Sequence, residues 1–107
     1  MNAKIESVSL GIEGHGIMSG LLVMRSGSSS QGFGGYNLND PECLGVWIRG
    51  VMKALKVEDW GKVVGQFCRV EREDQDGMII GIGHIVDDEW FYPGRVFKAM
   101  AEEGGVS

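Results

Sequence analysis

Proline, cysteine, histidine and basic residues are all scarce in this chain. Two prolines among 107 residues exclude a proline-rich linker. Two cysteines, Cys43 and Cys68, fall short of a zinc cage and read as small core hydrophobes with reduced thiols. With only two histidines, His15 and His84, no metal site is expected. Lysine and arginine number 10 against 15 aspartates and glutamates, a formal charge of −5. A protein that neutralises phosphates needs the opposite balance, so no direct nucleic-acid contact is expected. The acidic run Glu71, Glu73, Asp74 and Asp76 is interrupted by Arg69 and Arg72, which weakens any reading as a nucleic-acid mimic. No apolar stretch approaches the ~20 residues of a membrane span. Glu6 falls where a signal peptide would need its apolar centre. The expectation is a single cytoplasmic domain, residues 1–107, without membrane contact.

Glycine, in contrast, is abundant, with 18 residues scattered without period. Such a composition suits tight turns and places where backbone comes close to a neighbour. Residues 3–10 and 17–25 read as two strands joined by the glycine turn "GIEGHG". The second carries apolar residues on both parities, as a strand does that is central or covered on both faces. Residues 26–34 read as a glycine/serine loop, followed by a short extended segment "GYNL" at 35–38. "NDPE" at 39–42 then opens a helix: Asp40 caps, Pro41 takes the first turn and Glu42 suits the dipole. Leu44, Trp47, Ile48, Val51 and Leu55 form its apolar face. Gly45 and Gly50 weaken that helix by about 1 kcal/mol each, and close packing on a sheet is one reason to keep them.

Trp60 reads as an anchor beneath the following connection. "QFCRVERE" reads as a strand, "DQDG" as a hairpin turn and "MIIGIGHIV" as the return strand. The odd positions of that return strand include Gly81 and Gly83, so one of its faces is bare enough for something to come close. "DDEWFYPG" reads as a loop, and residues 94–103 as a short helix with Val96, Phe97 and Met100 inward. The expected fold is α+β: an antiparallel sheet of about four strands in ββαββα order, with both helices on one face.

Catalytic motifs are missing. No lysine follows a glycine cluster as a phosphate loop requires. "GFGGYN" and "GIGHIV" lack the dinucleotide spacing, and Gly27-Ser28-Ser29-Ser30-Gln31 lacks the closing glycine of a nucleophile elbow. His84 lies on the apolar parity of its strand, which favours a structural histidine over a general base, even with Asp87 and Asp88 close by. Arg49 and Lys53 share a helix face and read first as solvated charges. Five aromatics, Phe33, Tyr36, Trp90, Phe91 and Tyr92, lie in or beside predicted loops. They point to binding by stacking or anchoring rather than to catalysis. No enzymatic activity and no cofactor are expected.

"GFGGYNL" at 32–38, "WGKVVGQFCRVE" at 60–71 and "IGHIVDDEWFYP" at 82–93 together resemble a family of small phage and prophage proteins. That resemblance covers most of residues 30–93. It implies a viral accessory protein that counters host defence, and it implies no particular activity. Two expectations follow. In the first, a homo-oligomer in the host cytosol sequesters a nucleotide-like small molecule used as a defence signal. Ser29, Ser30, Gln31 and Gly34 would then hold phosphates, Phe33, Tyr36 and Trp90 would stack on the base, and Arg49 would add charge. His84 and Asp88 complete that candidate set. In the second, the protein inhibits a host defence protein by docking an acidic and aromatic surface on it.

Overall fold

The glycine/serine stretch does not remain a loop. In the computed structural model, which describes residues 2–73 and 77–104, most of it forms a strand. Strands β1 (Asn2–Ile12), β2 (Met18–Ser26) and β3 (Ser29–Gly34) form a meander. Ser26 pairs directly with Ser29, so Gly27 and Ser28 alone make the turn. Gly27 has φ +63°, which the tight turn requires and glycine adopts without strain. Helix α1 (Pro41–Leu55) follows, then a 3₁₀ turn (Trp60–Lys62) and strands β4 (Phe67–Arg72) and β5 (Ile79–Gly83). The expected aspartate-glycine turn between β4 and β5 lies mostly outside the described residues. Trp90–Phe91, expected as loop, forms a short edge strand β6, and α2 (Pro93–Gly104) closes the described chain.

The class is therefore α+β with an antiparallel sheet, and the expected four strands become six. Their order across the sheet is β3-β2-β1-β4-β5-β6. β2 lies between β1 and β3, consistent with its apolar residues on both parities. The sheet curls until Gln31 of β3 donates to the Gly77 carbonyl beside β5, at 3.1 Å.

The core fills the concave side. Ile5, Leu22, Met24, Phe33, Cys68 and Ile82 point inward from the sheet and are buried. Helix α1 lies against them. Asp40 caps it by accepting from the Glu42 N–H, and Lys56 ends it in the left-handed conformation. Trp47, Val51, Ala54 and Leu55 are buried, with Leu44 and Ile48 half-buried on the expected face. Gly50 packs where expected: a methyl group there would stand 2.4 Å from the Phe91 ring. Gly45 meets nothing and has no such role. Trp60, Val96 and Phe97 pack against the rim of the core. None of the described helices is long and apolar enough to cross a membrane.

Candidate ligand site

The predicted binding residues do not gather at one place. Ser29 and Ser30 are exposed on β3, and the Ser30 hydroxyl donates to Glu6. Gln31 points inward to Gly77. Phe33 is fully buried and stacks on Trp47 at 5.4 Å, so it offers no ring face to a ligand. Gly34 serves that same contact. A methyl group there would stand 2.3 Å from the Gly20 carbonyl oxygen and 3.0 Å from Trp47. Its backbone approaches the core, where a ligand approach was expected. Arg49 is exposed on the outer face of α1, in a shallow depression with Pro41 and Glu42.

His84 is half-buried in the β5–β6 connection. Its Nδ1 accepts from the Val86 and Asp87 backbone N–H groups, so the ring holds the loop in shape. Arg69 clamps the same loop by donating to the carbonyls of His84 and Asp87. Lys56 pairs with Asp87 there, which holds the Asp87 carboxyl below its ordinary range. Asp88 is exposed on that loop.

Trp90 does belong to an aromatic assembly, on the convex face of the sheet. The pairing of β5 with β6 sends Phe91 inward and Trp90 and Tyr92 outward. Trp90 covers Gly83 and Tyr92 covers Gly81, where a methyl group would stand 2.5 Å from either ring. The two rings stack at 5.9 Å. Arg69 lies over Trp90 at 4.8 Å and Arg95 over Tyr92 at 4.0 Å. The result is a ladder of cation, ring, ring and cation. The bare positions read from Gly81 and Gly83 are thus occupied by the protein's own aromatics.

Tyr36 and Tyr92 meet at a concave site. Tyr36, Ile80, Tyr92, Gly94, Arg95 and Lys98 line a cavity of about 280 Å³ between the end of β3, the β5 strand and the first turns of α2. The β4–β5 ladder is irregular next to Ile80, where Glu71 faces Gly81 but Arg72 faces Ile79. That bulge frees Ile80 from regular pairing. Tyr36 rests edge-on against Phe97 at 5.4 Å. Burial pushes its hydroxyl pKa up, partly offset by a hydrogen bond from the Gly94 backbone. Tyr92 is also pushed up, first by burial and then because its hydroxyl donates to the Glu71 carboxylate at 2.9 Å. Both phenols are therefore neutral at physiological pH, with the Tyr92 proton held by Glu71. Arg95 and Lys98, one helical turn apart, supply positive charge.

Two other depressions are larger, at about 310 and 360 Å³. Both carry Glu42, and the smaller also carries Asp40, so they suit an anion less well. Among the described residues, no three histidine, cysteine or acidic side chains gather as a metal site would need. Cys68 is buried and its thiol is pushed up to about 11 by desolvation. Cys43 is also raised, by burial first and then by Asp40 and Glu42. Neither is an activated nucleophile.

Ile80, Gly94, Arg95 and Lys98 escaped the sequence reading. One signal was available: two cations at helical spacing directly after "WFYPG". The alternation of Trp90 and Tyr92 opposite Gly83 and Gly81 also marked a strand rather than a loop. Comparison of the chain with known protein families, with characterised proteins and with solved structures finds no match.

Proposed function

We propose that this chain is a phage accessory protein that binds a small anionic molecule bearing a flat ring, in the nucleotide class, and so removes a defence signal from the host cytosol. The convergence of Tyr36, Tyr92, Arg95 and Lys98 on one cavity carries this reading. Both phenol rings offer edges to a heterocycle, and the Tyr36 hydroxyl offers a donor. The two cations suit a phosphate, with Arg95 able to grip two oxygens and Lys98 acting as a point charge. The cavity lies just below the ~300–1,000 Å³ of common ligand pockets. It accommodates one ring or one phosphorylated group, with the remainder of a larger ligand outside. The site is a binding site, with no reaction assigned to it.

A thermal-shift titration against cyclic and ADP-ribose-derived nucleotides tests the reading. A ligand that binds only the folded chain raises the melting temperature by mass action. The shift is expected for one class of compound, and it disappears in Lys98→Glu and Arg95→Glu but persists in Arg49→Glu. A flat response to the whole panel at millimolar concentration overturns the proposal.

One observation favours the second reading. Asp87 and Asp88 are exposed, and Glu89 half-buried, directly before Trp90, which places acidic and aromatic groups on one convex surface. A protein partner docked there would be captured by the wild type and lost in Trp90→Ala, with Lys98→Glu without effect.

A further inference from the structure

Strand β1 is paired along most of its length on one side only. On its β2 side, pairing runs from Lys4 to Ile12. On its other side, β4 reaches only Asn2, Ala3 and Lys4, and two backbone hydrogen bonds join Ile5 to Gly65 and Gln66. No described strand pairs with Glu6–Ile12 on that edge. The register slips between Ile5 and Ser7, at the point where β4 ends. A bulge bends and twists its strand, which separates the distal half of β1 from β4.

Beyond Glu6 and the bulge, this edge lacks the usual protection. Natural edges carry lysine, proline or inward charge that discourages pairing. Residues 7–12 read Ser-Val-Ser-Leu-Gly-Ile, with no charge and no proline. Two of its apolar side chains are exposed, Ile12 at 73% and Leu10 at 36%. Val8, Leu10 and Ile12 lie opposite Leu22, Gly20 and Met18, so they continue the concave face beyond the core.

We propose that this edge pairs with the same edge of a second copy of the chain, giving an antiparallel dimer with its twofold axis at Ser9. The open stretch decides the occupant. In this register Glu6 faces Ile12, Ser7 faces Gly11 and Val8 faces Leu10, each pair twice. All seven open residues of one copy are covered by the seven of the other, and each end stops where β4 takes over at Ile5. Val8 and Leu10 come together across the axis, and no charge meets a like charge. Such an isologous contact closes on itself and leaves no edge to propagate. Two chains of formal charge −5 repel at long range, so dimerisation strengthens as salt rises.

Sedimentation equilibrium of the full chain over a wide concentration range is the test. A mass of twice 11.6 kDa is expected, together with a melting temperature that rises with protein concentration. Leu10→Lys, on an exposed position, is expected to give a monomer with an unchanged far-ultraviolet spectrum. Ser9→Cys in a Cys43→Ser background places two thiols directly across the axis. Opposed residues of an antiparallel pair lie within disulfide reach, so oxidation links the two chains there. The same cysteine at Glu13 does not link. A wild type that stays monomeric at every concentration and salt overturns the proposal. So does a dimer that survives Leu10→Lys and fails to link at Ser9.

Discussion

Glycine serves opposite faces of the sheet in its two halves. In β2 and β3, Gly20 and Gly34 lie on the concave side and admit Trp47, whose ring then packs between Phe33 and Phe91. In β5, Gly81 and Gly83 lie on the convex side and seat Tyr92 and Trp90. The first arrangement puts one large ring fully inside. The second puts two rings half in solvent, each covered by an arginine. An absent Cβ is used the same way in both, yet the neighbours differ in freedom. Trp47 is locked among other core groups, and its Nε1 is buried with no hydrogen-bond partner. Trp90 and Tyr92 can tilt outward. Substitutions at the concave glycines are therefore expected to cost more.

Gly34→Val gives the largest effect. Its φ of +130° strains any residue with a Cβ, and the added atom meets backbone at Gly20. Strain and overpacking together cost about 4 kcal/mol. A domain of this size has only ~5–15 kcal/mol in all, so cooperative melting moves down by many degrees or vanishes. Gly35→Ala is the matched control. Its φ is +80° but its surroundings are open, so only backbone strain of about 1 kcal/mol applies. Equal losses at the two positions would show that packing on Trp47 is not what Gly34 provides.

Gly20→Ala and Gly83→Ala compare the two faces directly. Each methyl group would stand 2.5 Å from a tryptophan ring atom, of Trp47 in one case and Trp90 in the other. Gly20→Ala is expected to cost about 3 kcal/mol, because the buried ring cannot retreat. Gly83→Ala is expected to cost about 1 kcal/mol as Trp90 swings into solvent. Denaturant melts measure both losses. The fluorescence of Gly83→Ala shifts to longer wavelength, and that of Gly20→Ala in its native state changes less.

Local signals in the sequence carried the parts of the fold that local physics decides. Asp40, Pro41 and Glu42 marked the start of α1, and helical spacing marked its buried face through Trp47, Val51 and Leu55. The bare parity of β5 was legible at Gly81 and Gly83. Their partners were not, because Trp90 and Tyr92 reach that face through a register set only when β6 pairs with β5. The serine-rich composition hid β3 for a related reason: its pairing to β2 depends on a two-residue turn at Gly27, and only Phe33 faces the core decisively. The cavity was least visible. Tyr36, Ile80 and Lys98 are brought together by a bulge and a helix entry angle, and neither leaves a motif.

The smallest expected effects come from one surface ion pair in each half. Glu6 of β1 accepts from Arg25 of β2 and from Ser30 of β3, and these hydrogen bonds hold its carboxyl below the ordinary 4.5. Asp87 is held below 3.8 by Lys56, and Lys56 is raised above 10.5 by Asp87. A depressed carboxylate stabilises the fold fully above its ordinary value and loses that contribution as pH falls through the folded value. Melting temperatures should therefore decline on acidification below about pH 4.5, and Glu6→Gln and Asp87→Asn should each flatten part of that decline. A raised lysine works the other way, contributing fully below 10.5 and losing it as pH rises through the folded value. Tyr36 and Tyr92, raised above 10, also weaken the fold in that range, because the unfolded chain ionises first. Asp87→Asn should thus remove part of the alkaline decline and leave the tyrosine part, whereas Glu6→Gln should leave all of it. All four groups of the two ion pairs are solvent-accessible, so high salt should shrink both acid contributions together. If Glu6→Gln changed the alkaline limb as much as Asp87→Asn does, the two halves of the sheet would not be held by separate pairs.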